Sequence, residues 1–151
     1  MRNQTKKLFK LIGRSVLIKG QGVHEPHYSE QKTAFYAQLF QEGMLKNLMP
    51  HSIDKKGYAL IVPQSDGIQY YAGVISEIEI EGYEAIEVPE ENYLVTSASG
   101  NKSRLLFDEL EDSYFEKGIQ QNTEYSGGII LEVLLNGNPL DAEVELWIPV
   151  K

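Results

Sequence analysis

The chain has 151 residues and a formal net charge of −8, and 42% of its residues are hydrophobic. This composition is typical of a globular protein, and the lack of cysteine excludes disulfides and thiolate chemistry. The negative charge argues against direct nucleic-acid binding, and no apolar stretch approaches the ~18 residues that span a bilayer. We therefore expect one cytoplasmic domain over residues 1–151, without a membrane segment.

The first half of the chain predicts a strand, a helix and a hairpin. Loose alternation predicts a strand over residues 8–18, followed by a loop over 24–27. Ser29 is the predicted N-cap of a helix that Gly43 can split and Pro50 ends. Strands over 58–62 and 69–75 are predicted to form a hairpin, joined by the turn residues 63–67.

The second half repeats this order. A strand is predicted over residues 83–95 with an interruption at 89–92, and residues 97–101 offer caps for an amphipathic helix ended by Gly118. Strands over 129–135 and 143–150 form the second hairpin. The repeat predicts an α+β fold of two β-α-β-β modules, about 8–76 and 83–151, related by pseudo-two-fold symmetry. We expect an antiparallel sheet, two main helices on one face, and a cleft between the halves.

Glu132 lies at the centre of an apolar run from Ile129 to Leu135. Apolar residues at consecutive positions predict a strand covered on both faces, so Glu132 is expected to be buried. A buried carboxylate either has a raised pKa or finds a cation. Two interpretations stay open: a structural Lys or Arg pairs with Glu132, or Glu132 is the floor of a pocket for a cationic ligand.

Other kinds of site have weaker support in the sequence. The hydrolase elbow and the phosphate-binding loop are absent, and His24 and His27 with Glu25 are more typical of a loop than of a metal site. We therefore predict neither a metal nor a cofactor. The nine tyrosines could instead form aromatic walls, which suit a lipophilic cation through cation–π contacts.

Four segments resemble a known family, and one of them is the first strand, Leu11–Val16. The closing segment Glu143–Lys151 is similar to the final pattern of that family, a glutamate, aliphatic residues around an aromatic, a proline and a lysine. Tyr71–Val74 is typical of the first hairpin of that family, and Leu131–Leu134 matches its acidic strand. On these segments the sequence resembles the GyrI-like small-molecule-binding domain, also called the bacterial transcription-activator effector-binding domain.

The resemblance implies a ligand cleft between the two modules. Glu132 corresponds to the glutamate that meets cationic aromatic drugs, and Trp147 to the aromatic residue of the closing pattern, with Leu134 beside them. Trp147 replaces the tyrosine of many members, and Leu134 replaces a frequent aromatic. We expect Glu132 at the base of this cleft with a pKa raised by burial, and walls formed by Trp147 and by one or more of Tyr36, Tyr71 and Phe107.

Three functions are compatible with the sequence. The first is a free-standing protein that captures or senses lipophilic, cationic aromatic compounds, for which regulation of a promoter would need a regulatory protein partner. The second is a hydrolase of reactive electrophilic compounds with Glu132 as general base. The third is an inhibitory protein–protein module of the gyrase-inhibitor type. We favour binding over catalysis.

Overall fold

The computed structural model describes residues 2–19, 26–117 and 124–151. Over these ranges the chain forms one eight-stranded antiparallel sheet and three α-helices. A 3₁₀ turn follows the second helix at Met49–His51. The helices are α1 (Pro26–Glu42), α2 (Met44–Leu48) and α3 (Ser103–Lys117). The strands are β1 (Arg2–Lys6), β2 (Phe9–Lys19), β3 (Gly57–Gln64), β4 (Gly67–Ile75), β5 (Glu84–Val88), β6 (Glu91–Gly100), β7 (Ile130–Leu134) and β8 (Ala142–Pro149).

Two modules with the same element order lie side by side in the sheet. The first is β2-α1-β3-β4 and the second is β6-α3-β7-β8. The sheet order is β1-β6-β8-β7-β3-β4-β2-β5, so the modules meet where β3 pairs with β7. The two remaining strands, β1 and β5, each precede one module in the sequence and pair with a strand of the other module. β1 pairs with β6 of the second module, and β5 pairs with β2 of the first. The predicted α+β fold with repeated β-α-β-β order is confirmed.

Several predicted boundaries need correction. β1 was not predicted, because its residues are mostly polar and exposed and show no apolar alternation. Residues 97–100 continue β6 instead of capping a helix, and α1 begins at Pro26, so Ser29 lies inside it. Gly43 ends α1 with a φ of 71°, as its expected role as a helix break requires. The predictions for Gly118 and for residues 24–25 lie outside the described ranges.

The sheet is strongly curved, and chain length shows why. Only Lys7 and Leu8 separate β1 from β2, so Lys6 and Phe9 are at most about 11 Å apart along the chain. In a flat sheet these strands, six positions apart in the order, would be roughly 29 Å apart. The curvature therefore brings one end of the sheet close to the other.

The two faces of the sheet form separate cores. One face packs against the helices and includes Ile61, Tyr70, Ile130 and Leu146. We call this the helix face. The other face includes Phe9, Tyr58, Tyr93, Leu131 and Trp147, and its residues are buried against one another by the curvature. We call this the concave face.

Candidate functional site

Glu132 lies on the helix face of β7 and is 1% exposed. Its carboxylate accepts hydrogen bonds from three side chains. Lys32 Nζ of α1 and Arg104 Nη1 of α3 are each 3.2 Å from a carboxylate oxygen, and the Tyr70 hydroxyl of β4 donates the third bond. The interpretation with structural Lys and Arg partners is therefore confirmed.

The ion pairs around Glu132 extend into a larger buried cluster. Lys32 Nζ also lies 3.2 Å from a carboxylate oxygen of Glu111 on α3. Arg104 Nη2 donates to Asp108 Oδ1 over 2.7 Å. Three carboxylates and two cations therefore meet between the helices and the sheet, with a formal sum of −1 when all are ionised (2 − 3).

The two buried glutamates have opposite pKa shifts. Burial alone would raise the pKa of Glu132, but Lys32, Arg104 and its hydrogen bonds hold that pKa well below its usual range. The expectation of a raised pKa at Glu132 is therefore wrong. It is Glu111 whose pKa is raised, because burial and the nearby Glu132 charge outweigh the attraction of Lys32.

These properties make Glu132 a poor general base. A general base needs a free oxygen that faces the substrate and a pKa near the working pH. The carboxylate oxygens of Glu132 instead accept from Tyr70, Lys32 and Arg104, and its side chain is closed off from solvent. The geometry does not favour the hydrolase alternative.

An apolar groove of about 410 Å³ lies next to this cluster. It runs between the end of α1, α2 and the start of α3, and Leu134 of β7 lies at its base. Tyr36 forms part of one wall, and Arg104 separates the groove from Glu132. The remaining lining is largely apolar and includes Ala37, Leu39, Phe40, Met44, Leu45, Pro139 and Leu140.

The structure brings together four of the six residues predicted to bind ligand. Glu132, Leu134, Tyr36 and Phe107 all lie on the helix side of the sheet. Phe107 packs in one core with Leu134, and the Tyr36 ring meets the Tyr70 ring edge-on at 6.2 Å. Only Tyr36 and Leu134 line the groove directly.

Trp147 and Tyr71 lie on the opposite side. Trp147 is paired with Leu131, one residue before Glu132, and successive strand residues point to opposite faces. Tyr71 packs against the concave-face core in the same way. The expectation that Trp147 or Tyr71 forms a wall around Glu132 is therefore wrong.

Sequence reasoning missed five members of the cluster: Lys32, Tyr70, Arg104, Asp108 and Glu111. For several of them the sequence carries a signal. Lys32 comes four residues after Tyr28 and four before Tyr36, within the apolar stripe of α1. Arg104 and Glu111 similarly flank Phe107 on α3 at helical spacing. A charged residue within an apolar stripe indicates a buried ion pair. Tyr70 lies on the same face of β4 as the apolar residues Ile68 and Ala72, and this alternation indicates that its side chain is buried.

Among the described residues, no group of three His, Cys, Asp or Glu side chains is placed to hold a metal ion. In the same part of the chain, no helix has the length and apolar character needed to cross a membrane.

Solved structures with this fold are known. The structure of SAV2435 bound to tetraphenylphosphonium has a TM-score of 0.83 and 19% identity, over 99% of this chain and 93% of that one. A Staphylococcus aureus MU50 protein has a TM-score of 0.77 and 20% identity, over 99% and 97% of the two chains. The Vibrio cholerae integron cassette protein has a TM-score of 0.64 and 16% identity, over 99% and 95%.

The sequence itself matches a family. The comparison with curated proteins finds no match, but residues 4–150 match the integron-associated effector-binding proteins. The match confirms the resemblance to effector-binding domains that the closing segment and the acidic strand indicate. The chain belongs to the family of integron-associated effector-binding proteins.

Proposed function

We propose that this effector-binding protein captures lipophilic, cationic aromatic molecules in the groove between α1–α2 and α3. The observation that carries the proposal is the groove itself, an apolar cleft of about 410 Å³ beside a buried, carboxylate-rich cluster. Its volume lies within the range of small-molecule sites. Leu134 and Tyr36 would contact the apolar body of the ligand.

A positive charge on the ligand is compatible with the groove, although Arg104 and the exposed Lys102 lie in its lining. Arg104 is already paired with Asp108 and Glu132, so its charge is offset locally. The formal sum of the cluster is −1 when Glu111 is ionised. A bound cation would favour that ionised form through Coulomb attraction in a poorly hydrated region. The relative SAV2435, bound to tetraphenylphosphonium, supports this ligand class.

Two ions of the same shape and opposite charge test the proposal. Tetraphenylphosphonium and tetraphenylborate differ chiefly in charge, so calorimetric titration of both separates charge from shape. We expect the cation to bind at least about tenfold more tightly, which corresponds to about 1.4 kcal/mol. Equal binding of the anion, or no binding of the cation, would overturn the proposal.

A variant of the groove wall tests its location. Phe40 is 66% exposed, so Phe40→Ala removes apolar contact area without opening the core. We expect a loss of about fivefold in tetraphenylphosphonium affinity. Ile78→Ala, at an exposed isoleucine away from the groove, is the matched control and should bind as the unaltered protein does.

A further inference from the structure

A second cavity, of about 580 Å³, lies on the helix face between β2 and the corner formed by α1 and α2. Its apolar lining is the more buried part and consists of Val16, Phe35, Leu39 and Met44. Its charged and amide side chains are exposed and belong to Arg14, Gln38, Glu42, Asn47 and Glu84. We call it the α1–β2 cavity. Its volume lies within the range of small-molecule sites.

Arg14 is a charged residue within an apolar stripe of β2. Successive strand residues point to opposite faces, so Arg14 shares the helix face with Ile12, Val16 and Ile18. Ile12 and Ile18 are fully buried, whereas Arg14 is exposed, because α1 and α2 leave the cavity open above it. β2 therefore places a guanidinium group at the point where the helix face is uncovered.

The Tyr83 ring holds this guanidinium group in place. Arg14 Cζ lies 4.8 Å from the centre of the ring, which is a stacking distance. Among residues 2–19, 26–117 and 124–151, no carboxylate lies within salt-bridge distance of Arg14. A guanidinium group that stacks through its face keeps its N–H groups at its edge, where they can donate two parallel hydrogen bonds to a carboxylate.

The two carboxylates of the cavity differ in what they already bind. Glu84 accepts from the Ser15 backbone N–H at 2.8 Å and from the Ser15 hydroxyl at 2.7 Å, so each of its oxygens has a donor. These bonds cap β2 where its pairing with β5 ends, at Gly13. Glu42 accepts from Gln38 Nε2 at 3.2 Å through Oε1. Within the described ranges its Oε2 has no hydrogen-bond donor, so this oxygen is available to an ammonium group.

The charges of the cavity favour a ligand that carries both signs. Arg14 contributes +1 and Glu42 and Glu84 contribute −1 each, a formal sum of −1 (1 − 2). A simple anion would meet this sum and the net charge of −8. A simple cation would leave Arg14 without an anionic partner. A zwitterion has no net charge and supplies a partner to both Arg14 and Glu42.

We propose that the α1–β2 cavity binds an α-amino acid with a hydrophobic side chain. The ligand carboxylate accepts from Arg14, its ammonium group donates to Glu42, and its side chain packs on the apolar lining. Leu39 and Met44 also line the groove, but the groove otherwise uses a different face of α1. The site therefore does not rest on the proposed function.

Calorimetric titration of L-leucine, L-methionine and L-phenylalanine tests the ligand class. We expect at least one of them to saturate the protein below about 10 mM. The N-acetyl derivative and the amide of that amino acid each lack one charge, and each should bind at least about tenfold more weakly, since a charge-assisted contact is lost. Saturation by none of the three, or equal binding of either derivative, would overturn the proposal.

Two variants test the location of the site. Arg14→Gln and Glu42→Gln change exposed side chains, so neither change opens the core. Each should weaken binding of the amino acid at least about tenfold. Lys46→Gln on α2 and Glu30→Gln on α1 remove the same charges from exposed positions outside the cavity, and should bind as the unaltered protein does. Equal affinities of a cavity variant and its charge-matched control would refute the assignment.

Failure of this site and failure of the groove are distinguishable. Arg14 does not line the groove, so Arg14→Gln should still bind tetraphenylphosphonium if the proposed function holds. Phe40 does not line the α1–β2 cavity, so Phe40→Ala should bind the amino acid as the unaltered protein does. A loss of amino-acid binding in Phe40→Ala would contradict a site between α1 and β2.

Discussion

Glu132 and Glu111 are both buried glutamates, but their neighbours give them different protonation behaviour. Glu132 accepts from Tyr70, Lys32 and Arg104, and these partners outweigh its loss of hydration. Glu111 has a bond to Lys32 and the repulsive charge of Glu132 nearby, so burial dominates. Glu132 is therefore the fixed charge of the cluster, and Glu111 is the group that can change charge when conditions change.

Glu132→Gln keeps the side-chain size but removes the charge that offsets Lys32 and Arg104. We expect the free energy of unfolding to fall by about 3–5 kcal/mol, the range for breaking a buried ion pair. A lone buried carboxylate would give the opposite result, since removing its charge would maintain or raise stability. Chemical denaturation measures the change, with the exposed Glu143→Gln as a control expected to shift by less than about 0.5 kcal/mol.

The raised pKa of Glu111 predicts how stability depends on pH. Above its usual value of 4.5 the unfolded chain releases this proton while the folded protein retains it. Stability contributed by Glu111 therefore falls as pH rises from about 4.5 through its folded-state pKa. The glutamine of the Glu111→Gln variant cannot ionise. The melting temperature of this variant minus that of the wild type should therefore be at least about 2 °C higher at pH 8 than at pH 5.

Glu109→Gln, at an exposed position on the same helix, is the control for this pH comparison. Its melting temperature relative to wild type should be the same at both pH values. A pH-independent difference for Glu111→Gln as well would contradict the assignment of the raised pKa.

The central strands could be predicted because their sequences are rich in apolar residues. The edge strand β1 could not be predicted, because its sequence has no apolar pattern. The strands that contain Tyr70 and Leu131 are mostly apolar, and the sequence predicts each of them to within about two residues of the observed bounds. β1 is polar because it pairs along one edge and exposes most of its side chains. Its place beside β6 depends on sheet curvature, which no local pattern records.

The buried cluster around Glu132 was likewise only partly predictable from local sequence. Burial of Glu132 follows from its own strand, but its partners are far away in sequence: Lys32 is 100 residues away and Arg104 is 28. The separation of Trp147 from Glu132 depends on the register of β7 against β8, which a motif comparison does not contain. Local sequence thus predicted the buried charge and left open whether a Lys or Arg neutralises it, and the identity of these partners came only from the structure.

Gly13 and Gly73 face each other across β2 and β4, where the backbones approach closely. A Cβ at position 13 would lie 1.9 Å from the carbonyl oxygen of Ala72, so the strands would have to separate. We expect Gly13→Ala to lower the free energy of unfolding by about 3 kcal/mol. Gly57→Ala is the matched control, because its Cβ would have 3.6 Å to Leu134 and its effect should stay within about 1 kcal/mol. Similar denaturation midpoints for the two variants would refute this prediction.

The charges of the whole molecule and of the groove act differently on an approaching ligand. The net charge of −8 creates a negative potential that extends beyond any one contact. The described lining of the groove contains the cations Lys102 and Arg104 and no carboxylate. Salt screens the long-range attraction strongly and the local, partly buried interactions weakly. Ionic strength therefore separates the two contributions.

Tetraphenylphosphonium should associate several-fold more slowly when salt rises from about 10 mM to about 150 mM, because the Debye length shrinks from about 30 Å to about 8 Å. Tetraphenylborate should associate faster over the same range, since its repulsion by the net charge of −8 is screened. Dissociation rates should change little for either ion, because apolar contacts in the groove hold the ligand. Stopped-flow measurements, with neutral triphenylphosphine oxide as the control, give both rates. If the two ions show the same salt dependence, the net charge does not steer binding, and discrimination between them arises within the groove.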